Sequence, residues 1–314
     1  MMKVTFLEPL GIPQEQLKAM VESSLGELVE ATYYDTRAED AETLTERSKG
    51  ADCVVLSNIR YGEDIISQLP DLKMICVAFT GVDLIDVEYC RSKGIMVCNC
   101  AGYSTAAVAD LVFGMLIALY RNLIPCNEVV RHEGTKDGLV GMELEGKKFG
   151  VIGTGAIGMR TARIAQAFGC EVLAWSRTKK DMPQVAYMPL EELLAACDII
   201  SLHVPLTEET RGLIGEKELA LMKESAVLIN TARGPVVDSN ALAEALQSGK
   251  IAGAAVDVFE TEPPVASDHP LLQAKNLIAT PHVAFATKEA MVKRAHTVFE
   301  NVKAWETGKA QNVI

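Results

Sequence analysis

Two segments in the second half of the chain carry side chains suited to anion and proton chemistry. Arg233 stands in Thr231-Ala-Arg-Gly-Pro235, directly after a predicted strand. Its guanidinium can hold a carboxylate through two parallel hydrogen bonds and polarise a neighbouring carbonyl. His282 follows another predicted strand, and histidine titrates close to neutral pH, as proton transfer in water requires. The residues alone leave two simpler alternatives open, a surface salt bridge for Arg233 and a structural role for His282.

Two acids follow a third predicted strand, in Phe259-Glu-Thr-Glu-Pro-Pro264. A carboxylate that is hydrogen-bonded to an imidazole stabilises its protonated form and orients the ring. Glu260 and Glu262 are therefore candidate partners of the histidine. A plain polar loop is the alternative for this segment.

A glycine motif, Gly153-Thr-Gly-Ala-Ile-Gly158, lies between a short apolar run and an alanine-rich segment. The order is strand, tight turn and helix, which is the setting in which a G-x-G-x-x-G motif binds a dinucleotide. Gly153 allows the turn, Gly155 lets a pyrophosphate approach the backbone, and Gly158 lets the helix lie close to the strand. The helix start, with Ala156 and Ile157, offers free N–H groups to the phosphates. A glycine-rich turn of an ordinary α/β protein is the alternative.

The unit that this motif begins departs from the usual pattern at the end of its second strand. An Asp or Glu is expected there to accept hydrogen bonds from the ribose of NAD. The strand Val172-Leu-Ala-Trp175 is followed instead by Ser176-Arg-Thr-Lys-Lys180. Without the carboxylate, Arg177 can pair with a 2′-phosphate, so the sequence favours NADP over NAD. The alternatives are a solvated basic turn and an Arg177 that stacks on adenine without selecting the phosphate.

Strands and helices that position these residues alternate along most of the chain. This pattern predicts an α/β protein with two doubly wound parallel sheets covered on both faces. The first half has predicted strands at 3–8, 28–34, 52–57, 72–78 and 95–99, with helices at 13–24, 41–49, 63–69 and 87–93. The second half has predicted strands at 171–175, 198–203, 226–230, 252–258 and 277–280, with helices at 190–196, 216–222 and 241–248. Ser239 is the expected N-cap of the last of these helices.

Three further segments set the expected domain limits. A long apolar helix is predicted from Ser104 or Thr105 to Arg121, and a last helix from Thr287 to Gly308. Residues 122–145 are polar and irregular, either as an arm that embraces a second subunit or as a plain surface excursion. We expect one discontinuous substrate domain, 1–100 with 286–314, and an inserted dinucleotide-binding domain, 101–285.

The composition of the chain excludes several classes of binding partner. The 314 residues carry a net charge of −12 with a pI near 5.0, which argues against a nucleic acid or an anionic membrane surface. The longest apolar stretch, Val108 to Tyr120, is too short for a membrane span, and the first residues lack the pattern of a signal peptide. Eight cysteines without a C-x-x-C pair are expected to be small buried side chains in a reducing cytoplasm, with no metal site.

Four motifs taken in order resemble the D-isomer-specific 2-hydroxyacid dehydrogenases over nearly the whole length. They are residues 153–158, Thr231–Asp238, Val256–Pro263 and Thr280–Ala284. The resemblance implies a flavodoxin-like substrate domain with an inserted Rossmann domain, and a catalytic set of Arg233, Glu262 and His282. Glu262 is preferred over Glu260 because the acid of the family directly precedes proline.

The resemblance also implies the residues around the ligands. Those expected to line the cofactor, besides the glycine motif and Ser176 with Arg177, are Thr105, His203, Val204, Pro205, Thr231, Ala232 and Asp257. The backbone of Thr80 and Gly81 is expected to cradle the substrate carboxylate. Arg60, in the loop after a predicted strand, is expected either to meet a distal group of the substrate or to be solvated.

The implied function is hydride transfer between a nicotinamide cofactor and a small 2-keto acid, with hydroxypyruvate or glyoxylate fitting a chain of this length. A homodimer is the expected assembly. The alternative is a dinucleotide-sensing binding protein on the same fold, like the corepressors of the family, although all three catalytic positions are filled here.

Overall fold

Two parallel sheets organise the chain in a computed structural model that describes residues 1–181, 183–261 and 264–314. One compact unit comprises Met1–Ser104 with Ala286–Ile314, and the other comprises Thr105–Phe285. The predicted doubly wound α/β class is confirmed. The substrate-binding and dinucleotide-binding roles of the predicted domains, and their limits, stay predictions.

The first unit has a five-stranded sheet in the order β2-β1-β3-β4-β5, with every pair parallel. This is the flavodoxin-like order. Its strands are β1 (Met2–Phe6), β2 (Val29–Tyr33), β3 (Cys53–Leu56), β4 (Met74–Val77) and β5 (Met96–Asn99). Every residue of β3 and β4 is buried, as expected for central parallel strands with both faces covered.

The helices of the first unit are short except at its two ends. They are α1 (Gln14–Leu25), α2 (Ala41–Ser48), α3 (Glu63–Ile66), α4 (Val87–Ser92) and, after the second unit, α11 (Lys288–Glu306). Thr287 caps α11 by accepting from Ala290 N, and the helix packs on α1 and β4. The tail beyond α11 forms an antiparallel bridge between Val313 and Cys98 of β5.

The second unit has seven parallel strands in the order β12-β11-β10-β9-β6-β7-β8. They are β6 (Lys148–Ile152), β7 (Glu171–Trp175), β8 (Val185–Tyr187), β9 (Ile199–Leu202), β10 (Val227–Asn230), β11 (Gly253–Val256) and β12 (Leu277–Ala279). Counted from β6, this is the Rossmann order 3-2-1-4-5-6 extended by one strand. The order reverses beside β6, so ligands are expected at the carboxyl end of that strand.

Helices cover both faces of this second sheet. They are α5 (Thr105–Tyr120), α6 (Leu123–Arg131), α7 (Ala156–Ala167), α8 (Leu190–Ala196), α9 (Glu216–Leu221) and α10 (Ser239–Ser248). One apolar core joins α5 and α7 to the sheet, and a second joins α8, α9 and α10 to the opposite face. Two separate cores hold the strands rigidly, which fixes the turns at their carboxyl ends.

Two sequence-based expectations need correction, and one strand was not anticipated. Residues 123–131 are helical and not irregular, because Asn122 turns in the left-handed region (φ 51°) and Pro125 lies in the first turn, where its missing N–H costs nothing. Strand β8 at the sheet edge was not expected. The cap of α10 is Asp238, which accepts from Asn240 N and Ala241 N, and Ser239 is the first residue of the helix.

Within residues 1–181, 183–261 and 264–314, no single helix has both the length and the apolar composition of a membrane span. Among these residues, only α5 and α6 taken together reach them, and this pair is bent by 56°. The same residues contain no group of three or more His, Cys, Asp or Glu side chains able to hold a metal. All eight cysteines are free thiols; seven are buried, as expected, and Cys126 is half-buried.

Candidate functional site

The glycine turn after β6 has three different environments at its three glycines. Gly153 has φ 98°, and a Cβ there would lie 2.5 Å from the carbonyl oxygen of His203. A Cβ on Gly158 would lie 2.0 Å from the carbonyl oxygen of Gly153, so only glycine lets α7 sit this close to the turn. A Cβ on Gly155 would meet nothing within 4 Å, and Gly155 caps α7 without a side-chain hydrogen bond. The open face and the uncapped helix start fit a bound pyrophosphate.

The basic loop 176–180 is fastened to this glycine turn. The hydroxyl of Thr154, which is buried in the turn, donates to the carbonyl oxygen of Thr178 at 3.4 Å and accepts from the Tyr187 hydroxyl at 3.0 Å. The same Tyr187 oxygen accepts from Lys180 N at 2.9 Å. Edge strand β8 therefore holds the loop that carries Arg177 beside the glycine turn. The Arg177 side chain itself is exposed.

His203 lies beside the same turn, and its imidazole is uncharged. Its Nε2 lies 2.9 Å from the Ser201 hydroxyl, and burial lowers the pKa of His203 to about 3. An imidazole of that kind is uncharged at neutral pH. The segment His203–Pro205 follows β9, the neighbour of β6, and Val204 is buried. These residues lie where a wall of the cofactor groove is expected.

Asn230 shapes the turn that carries Arg233. This residue ends β10 and is 1% exposed. Its side-chain oxygen accepts from Ala232 N at 3.0 Å, and its Nδ2 donates to the carbonyl oxygen of Arg233 at 2.9 Å. A Cβ on Gly234 would lie 2.0 Å from the carbonyl carbon of Phe259, so the turn rests on the segment that carries the two acids. One amide side chain thus closes both ends of the turn.

Asp257 shapes the turn that carries His282. The carboxylate is fully buried and accepts from the Thr280 hydroxyl (2.5 Å), Val283 N (2.8 Å) and Ala284 N (2.9 Å). The Asp257 carbonyl oxygen also accepts from His282 N at 2.8 Å. His282 has φ 55°, a strained conformation for a residue with a Cβ. Four hydrogen bonds from one residue hold that strained turn in place.

The pKa of Asp257 reflects this burial. Burial raises the pKa, while the hydrogen bonds from Thr280, Ala284 and Val283 and the nearby His282 oppose the rise without cancelling it. The predicted contact of Asp257 with the cofactor stays a prediction. The geometry gives the carboxylate a structural role, which is to hold the histidine turn.

Strand order brings the two turns together. Arg233 follows β10 and His282 lies just beyond β12, and these strands flank β11, so both turns leave the same edge of the sheet. The end of β11 joins them, because Asp257 N donates to the carbonyl oxygen of Asn230 while the Asp257 carbonyl oxygen accepts from His282 N. The turns of a guanidinium group and an imidazole, side chains suited to binding a carboxylate and transferring a proton, are therefore both hydrogen-bonded to the end of β11.

The acid predicted to pair with His282, Glu262, lies outside the described residues together with Pro263. Glu260 is engaged elsewhere, since its Oε2 lies 3.0 Å from His269 Nε2. Burial raises the pKa of Glu260, but hydrogen bonds with Ser239 and His269 outweigh it and leave the pKa below its usual value. This commitment of Glu260 agrees with the preference for Glu262, which stays a prediction.

Three other predicted positions are half-buried at element ends. Thr231 and Thr80 follow β10 and β4, and the hydroxyl oxygen of each is buried without a hydrogen-bond partner in the described structure. Buried hydroxyl groups without a hydrogen-bond partner after strands are consistent with residues that bind a ligand. Thr105 is the first residue of α5.

Arg60 has a different setting. Its side chain is 64% exposed and pairs with Asp64 at 2.9 Å, one helical turn away. This contact favours the solvated alternative stated for Arg60.

The sequence did not single out the residues whose hydrogen bonds hold the turns of the candidate site. Asn230, Thr154 and Tyr187 touch turns that carry predicted site residues. The signal for Asn230 was present, because a polar residue at the end of the apolar run Val227–Asn230 needs hydrogen-bond partners. Tyr187 had no such signal, since its partners lie 7 and 33 residues away.

Comparison with known proteins gives the family context of this geometry. Residues 113–284 match the family described as D-isomer specific 2-hydroxyacid dehydrogenase, NAD binding domain. A glyoxylate reductase of Aeropyrum pernix is 40% identical over 296 residues, covering 88% of each chain.

Two solved structures share the fold over 98% or more of this chain. An acyclic imino acid reductase in complex with NADPH and D-Arg has a TM-score of 0.92 at 31% identity, with 100% of both chains covered. A D-lactate dehydrogenase of Aquifex aeolicus, complexed with NAD and lactic acid, has a TM-score of 0.87 at 33% identity, covering 98% of this chain and 96% of that one. The two neighbours hold different cofactors.

Proposed function

The chain belongs to the D-isomer-specific 2-hydroxyacid dehydrogenase family, and we propose that it reduces a small 2-keto acid to the D-2-hydroxy acid with a nicotinamide cofactor. One observation carries the proposal. The turns of Arg233 and His282 leave the same sheet edge and are both hydrogen-bonded to the end of β11. The similarity to a glyoxylate reductase supports glyoxylate as the substrate, and a hydroxypyruvate reductase that is 34% identical over 324 residues supports hydroxypyruvate.

Each turn supplies one part of the chemistry. The Arg233 guanidinium holds the substrate carboxylate and polarises the adjacent carbonyl. His282 in its protonated form donates a proton to the carbonyl oxygen as negative charge develops there. When bound, the reduced cofactor supplies a hydride to the carbonyl carbon. The fixed cation and the proton donor stabilise charge that is greatest in the transition state, where such help accelerates the reaction.

Asp257 and Glu262 have supporting roles in this proposal. Asp257 keeps the histidine turn in its left-handed conformation through the hydrogen bonds described above. Glu262 is the proposed partner that stabilises the protonated imidazole, on the family resemblance alone. The backbone N–H groups of Thr80 and Gly81 are assigned to the substrate carboxylate on the same basis.

We propose NADP rather than NAD as the cofactor. Arg177 with Lys179 and Lys180 makes the loop after β7 basic, and Thr154 and Tyr187 tie that loop to the glycine turn. A 2′-phosphate bound there would meet cationic side chains and no carboxylate at position 176. The NADPH in the acyclic imino acid reductase agrees with this choice, and the NAD in the D-lactate dehydrogenase does not.

The proposed assembly is a homodimer. Helix α6 buries none of its side chains, and its apolar residues Leu123, Ile124 and Val130 are 49%, 55% and 73% exposed. Val140 and Met142 of the following segment are also exposed. An apolar surface of this kind is typical of a protein–protein contact.

A panel of 2-keto acids, assayed by loss of NADPH or NADH absorbance with and without an added amine, tests the function. Turnover of glyoxylate or hydroxypyruvate without amine, faster with NADPH, is the expected result. Turnover that requires the amine would assign an imino acid reductase instead. Binding of NADPH with no turnover of any member would favour the dinucleotide-sensing alternative and contradict the proposal.

A further inference from the structure

The turn Ala78–Gly81 follows β4 in the first unit and is called here the carboxylate turn. Its three successive carbonyl groups all have donors within the same unit. Arg294 Nη1 donates to the Ala78 oxygen at 3.4 Å, Cys100 N to the Phe79 oxygen at 2.9 Å, and Asn99 Nδ2 to the Thr80 oxygen at 2.7 Å. The shortest of these three bonds is the one from Asn99.

Holding a carbonyl fixes the N–H of the next residue. The peptide group is planar and trans, so the N–H of Gly81 points opposite to the Thr80 carbonyl. With that carbonyl drawn towards Asn99, the Gly81 N–H is aimed away from the core of the unit. In the described part of the chain, neither Thr80 N nor Gly81 N donates to a protein acceptor. Both groups are thus available to an anion.

Asn99 is itself held at every polar atom. Its N–H donates to the Asn312 carbonyl oxygen at 3.0 Å, and its carbonyl oxygen accepts from Asn301 Nδ2 at 2.8 Å. Its side-chain oxygen accepts from Ala101 N at 3.2 Å. Asn99 is 8% exposed and Asn301 is fully buried. A side chain restrained in this way has one orientation, with Nδ2 towards Thr80.

The chain of contacts continues into the C-terminal tail. Asn312 Nδ2 donates to the side-chain oxygen of Asn301 at 2.8 Å, and Ile314 N donates to the carbonyl oxygen of Val97. Helix α11 and the tail therefore support the carboxylate turn through a series of three hydrogen-bonded asparagines, the exposed Asn312 and the buried Asn301 and Asn99.

We infer that Asn99 is a positioning residue that aims the Gly81 N–H at the substrate carboxylate and so sets the affinity for the 2-keto acid. The inference rests on the proposed function, because it needs an anionic substrate at the carboxylate turn. Asn99 lies on β5 of the first unit and has no part in the proposed proton or hydride transfer, so its loss should weaken substrate binding more than turnover at saturation.

Asn99→Asp is the most informative variant, because it keeps the size of the side chain and removes the donor. At pH 8 the ionised Asp side chain cannot donate to the Thr80 carbonyl, and we expect the KM for glyoxylate to rise by about 10-fold or more, as for a lost hydrogen bond to a charged group. As the pH falls, the buried carboxyl, whose pKa burial raises, becomes protonated and can donate again. KM should then return towards the wild-type value measured at the same pH.

The controls separate positioning from general damage. Asn240→Asp makes the same chemical change at an exposed site in the first turn of α10 and should leave KM unchanged. Asn99→Ala should raise KM to a similar extent at every pH, and it carries the test if the aspartate variant does not fold. NADPH affinity should be unaltered in all three variants.

Two results would overturn the inference while leaving the proposed function intact. One is a wild-type KM in both Asn99 variants at pH 8. The other is a rise in KM that is independent of pH in Asn99→Asp and accompanied by weaker NADPH binding. If the wild-type protein reduced no 2-keto acid at all, the proposed function itself would fail, and this inference with it.

Discussion

Asp257→Asn should separate the holding of the His282 turn from contact with the cofactor. The carboxylate accepts from Thr280, Val283 and Ala284, and it has no proton to offer in return. An asparagine of the same shape keeps one oxygen and replaces the other by an NH₂ group. That NH₂ would face a backbone N–H, so one buried donor loses its acceptor whichever way the amide is turned.

The size of the effect follows from these contacts. A hydrogen bond to a charged group contributes about 1.5–3 kcal/mol, and an unsatisfied buried donor costs a similar amount. His282 at φ 55° already carries strain that the turn must overcome. The hydrogen bonds of Asp257 stabilise the position of His282, the proposed proton donor. If the variant loses about 2–3 kcal/mol of this stabilisation, turnover should fall by roughly 30- to 150-fold, at 1.36 kcal/mol for each factor of ten.

Steady-state kinetics with a separate measurement of NADPH affinity tests this reasoning. We expect Asp257→Asn to lower kcat strongly at saturating NADPH and to leave the dissociation constant of NADPH within about threefold of the wild-type value, a change of less than 1 kcal/mol. Asp71→Asn, at an exposed position, is the matched control. A normal kcat with NADPH bound much more weakly would refute the positioning role and assign Asp257 to the cofactor alone.

The other predictions concern the cofactor, pH and assembly. Arg177→Ala should raise the KM for NADPH by about 10- to 100-fold and leave that for NADH unchanged; equal effects on both would remove the 2′-phosphate contact. Because the pKa of His203 falls from about 6.5 unfolded to about 3 folded, its stabilisation is present above about pH 6.5 and is lost as pH falls towards 3. Denaturant titrations should show wild type losing about 1.4 kcal/mol more than His203→Asn between pH 8 and 5.5; equal losses would refute the assignment. Ile124→Glu should convert a dimer to a monomer in sedimentation experiments, and an unchanged mass would place the contact elsewhere.

The sequence predicted the strands, helices and glycine turn around the candidate site, because these features depend on residues close together in the chain. The alternation of apolar strands and helices placed Arg233 and His282 after strands, and parallel sheets bring such ends to one edge. The three glycines received the environments that their spacing predicts. What the sequence lacked was the set of long-range partners, such as Asp257 with Ala284 or Asn99 with Thr80, which only the fold brings within hydrogen-bond distance.

The two wrong predictions, at residues 122–131 and at the cap of α10, arose where neighbouring residues favour different local structures. The polar residues of 122–131 suggested an irregular segment, but Leu123, Cys126 and Val130 have the i, i+3, i+7 spacing of a helix. At α10 two good capping residues stand side by side, and Asp238 takes the cap because its side chain reaches both free N–H groups. The two possible starts of this helix differ by one residue, and helix propensity does not distinguish them.

The most direct test of the central claim compares glyoxylate reduction by wild type, His282→Ala and His296→Ala at saturating NADPH. His296 lies exposed on α11 and serves as the matched histidine control. The account predicts that His282→Ala lowers turnover by at least about 100-fold, as loss of a general acid does, while His296→Ala stays near wild type. Near-normal turnover in His282→Ala would contradict the assignment of His282 as the proton donor.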